Sequence, residues 1–414
     1  MSLLFNLFLF LFLFTTVNKR FAIGCDWRYL TAAIGFALVV MRILQFKFRV
    51  YAKPSSIVLV LFLCSVLYIG AAYRVFSGTV SDESVFERVL FSHSANLIYL
   101  AVFALYYKRL NVAMFSRFYF FSLLFLLAGI AGQMLGFDIF AISYYPAEKT
   151  LFGLDYYVES ITGLPRYASW VFDPNWVPLL TFPYIAYMYA VREKHRQLKT
   201  LILVPLLIVP LSRTFFVAMA IVLLIWLFVK LRRAYPVWKV ACIELFISAV
   251  GCIFMFNISI VGSMTSLKTM ALRLIMWKGL FSKLTGSGLL FGYGVEGSRS
   301  ITVGLRGLDQ YGTLHNTFLA ILGDHGLIGF IPFLILLVLP LIKIRSFPYR
   351  LLWVYMVIYG MTLEFGFHSI IVLAFCVIPL AIKQHLIVEK HAPVALANRE
   401  RLQCPEGFLA GFAT

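Results

Sequence analysis

Continuous apolar runs, separated by short polar segments, organise this chain from its first residues to about residue 385. Runs of about 20 apolar residues, enough to cross ~30 Å of hydrocarbon, recur along its length. Only helices and closed barrels can satisfy their backbone polar groups in lipid, and barrel strands alternate apolar with polar positions. These runs do not alternate, so they predict helices. Taken in order they give twelve spans, at 1–16, 30–45, 55–75, 90–107, 117–135, 175–191, 199–212, 214–230, 239–260, 317–342, 351–366 and 369–385. One run breaks the pattern. The stretch Thr313–Phe330, TLHNTFLAILGDHGLIGF, opens on His-Asn and carries Gly-Asp-His-Gly in its middle. At 1.5 Å per residue, 317–342 would be ~39 Å long, more than a straight crossing requires. A break at Gly-Asp-His-Gly is therefore expected, separating a short outer helix from a span that begins near Leu327.

The polar segments between runs fix the topology. Five are rich in Lys and Arg: Arg42 to Lys53, Lys108 to Arg117, Arg192 to Lys199, Lys230 to Lys239, and Lys343 to Arg350. Two crossings fit between each consecutive pair, which places all five on one side, the cytoplasmic one. The N-terminal stretch MSLLFNLFLFLFLFTTV has neither a basic leader nor a small-residue cleavage site, and reads as an uncleaved first helix. Lys19, Arg20 and Arg28 fall on the less expected side. The expected architecture is an all-α polytopic membrane domain over 1–385 with a cytoplasmic tail over 386–414. Two long outer loops are expected, at about 137–175 and 262–316.

Composition agrees: 62% of the residues are hydrophobic and only 13% charged, beyond what a soluble chain of 414 residues would bury. The net charge of +18 sits in short loops, so no exposed basic domain for nucleic acid is present. Six scattered cysteines (Cys25, Cys64, Cys242, Cys252, Cys376, Cys404) form no CxxC pair, and indicate neither a zinc site nor a disulfide framework. No metal ligand set and no cofactor motif is read.

The outer segments depart from this rule of charge. Arg166, Arg213, Lys268, Arg273, Lys278, Lys283, Arg299 and Arg306 lie there, against Glu296 and Asp309 in the last loop. Cations on that side point to an anionic partner, and the guanidinium fork suits phosphate oxygens. Arg213, in the two-residue polar turn of LSRTFF, is held at the membrane surface, either to meet a lipid-borne phosphate or to reach the headgroups. Arg273 lies in ALRLIMWKGL, an amphipathic stretch suited to the interface. The loop 137–175 carries Tyr144, Tyr145, Tyr156, Tyr157, Tyr167 and Trp170, which suit either an interfacial belt or sugar rings. His315 has the residue type of a general base. Asn316 reads either as a sugar-binding amide or as a helix N-cap. Asp324 and His325 stand ~12 Å of helical rise from His315 and read as structural. Glu364 and His368, at i and i+4, read as a supporting pair.

The run RLIMWKGL, then GSGLLFGYG, then HNTFLAILGDHGLIGF resembles the C-terminal signature of the O-antigen ligase and polymerase superfamily. That signature sets His315-Asn316 before Gly326 and Gly329. PRYASWVFDPNW, with its Pro174-Asn175, resembles the superfamily's outer-loop segment, and Ser212-Arg213-Thr214 its Ser/Thr-Arg turn. The resemblance implies a GT-C-like helical glycosyltransferase of the bacterial inner membrane, metal-independent and facing the periplasm. Its donor would be a glycan on undecaprenyl diphosphate. Catalytic roles carry over to His315 and Arg213. Arg273, Arg299, Arg306, Arg166, Asn316 and Asn175 are expected to bind substrate, with Glu364 behind them. Attack opposite the diphosphate would invert the anomeric centre. A polymerase joining repeat units, with a chain-length regulator as partner, is the first expectation. A ligase to lipid A-core is the second. A twelve-span transporter is the more distant third, disfavoured by the lack of an internal repeat and of midplane charges.

Overall fold

The computed structural model describes residues 2–18, 27–46, 83–135, 167, 169–171, 174–232, 235–236, 263–294, 297–298, 314–343, 346–363 and 369–386. Among these residues the fold is entirely helical. The helices are α1 (Ser2–Val17), α2 (Trp27–Phe46), α3 (Glu83–Tyr106), α4 (Val112–Met134), α5 (Trp176–Ala190) and α6 (Arg196–Ile208). They continue with α7 (Arg213–Leu231), α8 (Ser263–Lys283), α9 (Gly286–Phe291), α10 (Thr317–Lys343), α11 (Phe347–Gly360) and α12 (Ser369–Leu386). The π-helical turn Leu373–Val377 lies inside α12. Ten of these helices fall where the apolar runs predict spans; the expected spans 55–75 and 239–260 lie outside the described residues. Among the described residues, five segments are long and apolar enough to cross a membrane: Trp27–Gln45, Val112–Met134, Arg213–Leu231, Thr317–Val338 and Ser369–Leu386.

Packing follows from which helices are apolar all round. In α1 the rings of Phe5, Phe8 and Phe12 meet Tyr99, Phe103 and Tyr106 of α3, while Phe10 and Phe14 meet Phe118, Phe121 and Phe125 of α4. Helix α5 is the most enclosed, buried from Val177 to Met188 between α4, α6 and α11. Tyr119 of α4 donates its hydroxyl to the Leu180 carbonyl of α5 at 2.7 Å. Helix α7 packs on α11 and leaves Phe216, Val217, Ile221, Leu223 and Trp226 exposed, as a lipid-facing helix would.

The chain runs up and down, so successive turns collect at two ends. One end holds the basic turns. There Arg42 and Arg109 stand over the Tyr106 ring, Arg196 over Tyr189, and Lys230 over Trp226. Glu193 accepts from Ser116 Oγ at 2.7 and 2.8 Å and pairs with Lys199 at 2.5 Å, tying α4 to the α5–α6 turn. The opposite end holds the starts of α5, α7 and α10 and the C-terminus of α11.

A second, smaller core lies apart from the main one. It joins Met276, Leu280 and Leu284 of the α8 region to Leu314 and Ala320 at the head of α10. Thus 262–316, expected as a loop, contains two helices. The expected break in α10 falls at Gly326, whose φ of 60° and ψ of −167° interrupt the helix. Helix α9 and its C-terminal turn enter the gap backbone to backbone. Tyr293 N donates to Gly323 O at 2.8 Å and Gly294 N to Asp324 O at 3.0 Å, while Asp324 Oδ1 accepts from Ser298 N at 2.8 Å. A Cβ on Gly326 would stand 2.3 Å from the Leu290 carbonyl oxygen, and one on Gly292 2.3 Å from that of Asp324. Both glycines also have positive φ, so both space and conformation require glycine. Gly326→Ala is expected to cost about 3 kcal/mol or more, read as a clear drop in the thermal midpoint of the purified protein; an unchanged midpoint would contradict this packing.

Candidate functional site

Two corners of the same construction face each other across the end of α11. In the first, Leu211 takes a left-handed conformation (φ 47°), Ser212 caps α7, and Arg213 is the first helical residue. In the second, His315 is left-handed (φ 49°), Asn316 caps α10, and Thr317 opens the helix. Left-handed backbone costs roughly 1–2 kcal/mol for a residue with a Cβ, so the surroundings must hold each corner.

At the first corner Ser212 Oγ accepts from Phe215 N at 3.2 Å and donates to Asn175 Oδ1 at 2.7 Å. Its single proton is then committed, so the Tyr359 hydroxyl, 3.4 Å away, is the donor in that contact. Asn175 precedes α5, so this one hydroxyl joins the heads of α5 and α7 to α11. Arg213, next in sequence, has an exposed side chain. At the second corner Asn316 Oδ1 accepts from Phe318 N at 3.0 Å and Leu319 N at 3.1 Å. The N-cap reading of Asn316 is thus the one its amide oxygen takes, which leaves only its NH2 group for a ligand. Thr317 Oγ1 donates to Leu363 O at 2.7 Å, just beyond α11. Tyr359 and Leu363 are one turn apart, so Arg213 and His315 flank the same end of one helix. Behind His315, Trp277 Nε1 donates to Leu314 O at 2.9 Å, docking α8 on the corner. Arg273 lies one turn before Trp277 on the same face.

The electrostatics follow from this arrangement. Burial, first, and the nearby Arg273 charge, second, together push the His315 imidazole down to about 4. His315 therefore does not titrate near neutrality, as its residue type alone suggests; it is neutral there and able to accept a proton. Three helix N-termini (α5, α7, α10) gather with Arg213 and Arg273 at this end, which favours an anion. Among the described residues no three His, Cys, Asp or Glu side chains converge to hold a metal ion.

Arg213, Arg273, His315, Asn316 and Asn175 are thus drawn to one end of the bundle. Arg166, Arg299, Arg306 and Glu364 lie outside the described residues, as do Tyr144, Tyr145, Tyr156 and Tyr157. Trp170 is core: it is buried and stacks on Phe125 at 5.3 Å, beside Gly129, whose missing side chain makes room for it. The interfacial and sugar-stacking readings of that residue give way to packing. Sequence reasoning missed Trp277, Thr317 and Tyr359, because an indole, a threonine and a tyrosine in apolar runs give no signal of a partner far along the chain.

Residues 200–334 match the family model described as O-antigen ligase. This segment is similar to the O-antigen ligase family. It holds Arg213, Arg273 and His315, and also Arg299, Arg306 and Asn316; Arg166, Asn175 and Glu364 fall outside it. Enzymes of the O-antigen ligase family are of the glycosyltransferase type, and a lipid-linked glycan in the membrane is the substrate the family implies. No curated protein matches the chain.

The neutral state of His315 can be checked directly. Diethyl pyrocarbonate acylates neutral imidazole, so labelling of His315, followed by peptide mass spectrometry, should be half-maximal near pH 4. Arg273→Gln should raise that midpoint by removing the repulsive charge. A midpoint near the ordinary value of about 6.5 in the unaltered protein would contradict the site as described.

Proposed function

We propose that this protein is a multi-pass glycosyltransferase of the bacterial inner membrane. It transfers a glycan from undecaprenyl diphosphate at a site facing the periplasm. The observation that carries the reading is the pair of capped corners that sets Arg213 and His315 on one end of α11, with Arg273 against His315. In this reading the chain crosses the membrane twelve times, in a GT-C-like arrangement, with the site at the outer ends of α5, α7, α10 and α11.

The chemistry follows from the groups at that end. Arg213 and Arg273 hold the diphosphate oxygens and stabilise charge as the bond from the anomeric carbon to the leaving oxygen breaks. These cations take the part that a divalent metal plays where sugar nucleotides are the donors. His315, neutral at physiological pH, accepts the proton of the acceptor hydroxyl as its oxygen attacks the anomeric carbon. Before the donor binds, an imidazole with a pKa near 4 is a weak base. The bound diphosphate offsets the field of Arg273, and so raises the basicity of His315 when the donor is in place. Attack from the face opposite the diphosphate inverts the anomeric centre. The NH2 groups of Asn316 and Asn175 bind sugar hydroxyls, Arg166, Arg299 and Arg306 supply further phosphate contacts, and Glu364 supports one of these arginines.

We read the reaction as polymerisation of lipid-linked repeat units of O-antigen or a related surface polysaccharide, with a chain-length regulator as partner. The second reading, ligation of the glycan to lipid A-core, rests on the same family match. A transporter is a weaker reading, since two arginines and a histidine converge at one end of the bundle and not at its middle.

Deleting the gene separates the first two: loss of a polymerase leaves a single repeat on lipid A-core, loss of a ligase leaves none. In the deletion strain, His315→Ala and Arg213→Ala are expected to lower the long lipopolysaccharide ladder at least ~100-fold, with normal protein levels in the membrane. Full ladders from both variants would overturn the reading.

A further inference from the structure

His315 is held from two sides, and each hold ties it to a different arginine. One residue before it, the Leu314 carbonyl accepts from Trp277 Nε1 at 2.9 Å, and Trp277 stands one helical turn after Arg273 on α8. Two residues after it, Thr317 Oγ1 donates to the Leu363 carbonyl at 2.7 Å, one turn beyond Tyr359, whose hydroxyl meets Ser212 beside Arg213. Leu314 and Thr317 are each only 1% exposed, so neither hydrogen bond has water competing for it. A buried carbonyl or hydroxyl left without its partner costs about 1–3 kcal/mol, enough to move a corner whose own backbone is left-handed.

We propose that Trp277 and Thr317 are positioning residues that clamp His315 at a fixed separation from Arg273 on one side and Arg213 on the other. The two halves of the clamp do different work. Trp277 couples His315 to the helix bearing Arg273, across the small core of Met276, Leu280 and Leu314. Thr317 couples it to the main bundle, through the C-terminal end of α11. A base that must reach the acceptor hydroxyl while the leaving diphosphate lies on arginines needs both separations set at once, because an error of about 1 Å in such geometry costs on the order of a hundredfold in rate. Arg273 is the charged group whose field reaches His315 among the described residues, so His315's own titration reports the Trp277 half of the clamp.

The inference rests on His315 being the base, but its test separates the two claims. Full-length protein in lipid nanodiscs is labelled with diethyl pyrocarbonate across a pH series, and glycan transfer from the lipid-linked donor is followed on the same samples. Trp277→Phe keeps the ring and loses the N–H. It should raise the His315 midpoint by roughly half a pH unit or more and slow transfer about tenfold. Thr317→Val keeps the shape and loses the hydroxyl. It should leave the midpoint near that of the unaltered protein and lower kcat about tenfold with little change in KM, and Thr317→Ser should restore the rate. Folded variants with unaltered midpoint and rate overturn the clamp, as does a Thr317→Ser protein as slow as Thr317→Val. If Trp277→Phe does not fold, the Thr317 pair decides alone. Transfer that survives His315→Ala overturns the assignment of the base, while the midpoint shift in Trp277→Phe still reports the coupling of Trp277 to His315.

Discussion

The contact on which the arrangement depends is the close approach of two backbones at Gly292 and Gly326. Helix α10 is too long and too apolar to turn aside by itself. The left-handed Gly326 breaks it, and the α9 turn fills the break with main-chain hydrogen bonds to Gly323 and Asp324. Side chains at either glycine would hold these segments apart. Because α9 follows α8 directly, seating α9 on the break also seats α8 against the head of α10. Arg273 and Trp277 reach His315 as a consequence. Neither glycine carries a charge, yet their packing determines which charges meet.

The electrostatic character of the site comes from the same assembly. Enclosing His315 beneath α8 removes water from its imidazole, and Arg273 adds a like-charge cost to protonation; both lower its pKa. Meanwhile three helix N-termini and two arginines face the same end of the bundle, and each favours negative charge there. In the proposed function such a site receives a diphosphate, and the arrival of that anion would make His315 more basic. Binding of the donor and readiness of the proposed base are thereby linked through one arginine.

Much of the fold was legible in the sequence because membrane helices write themselves as long apolar runs. Ten of the expected spans have helices, and the break in α10 lies where Gly-Asp-His-Gly interrupts the run. The turn at Ser212-Arg213 was legible too, since two polar residues between apolar runs leave no other course for the chain. Legibility fell where partners come from distant positions. Nothing around Trp277 announces the Leu314 carbonyl, and nothing near Thr317 announces Leu363. Residue type gives no sign of the low pKa of His315, because its burial depends on α8, whose residues lie in a stretch expected as a loop. Trp170, an aromatic in an outer segment, gave no local sign that Gly129 opens a place for it in the core.

The central claim is that Arg213, on the main bundle, and Arg273, on α8, serve one diphosphate. A double-mutant cycle on the affinity of the purified protein for undecaprenyl diphosphate tests it most directly. Arg213→Gln and Arg273→Gln should each weaken binding, and the double variant should depart from additivity by about 1 kcal/mol or more, since both guanidinium groups share one ligand. Strict additivity, or a single variant with unaltered affinity, would mean that the two arginines do not meet at one phosphate site.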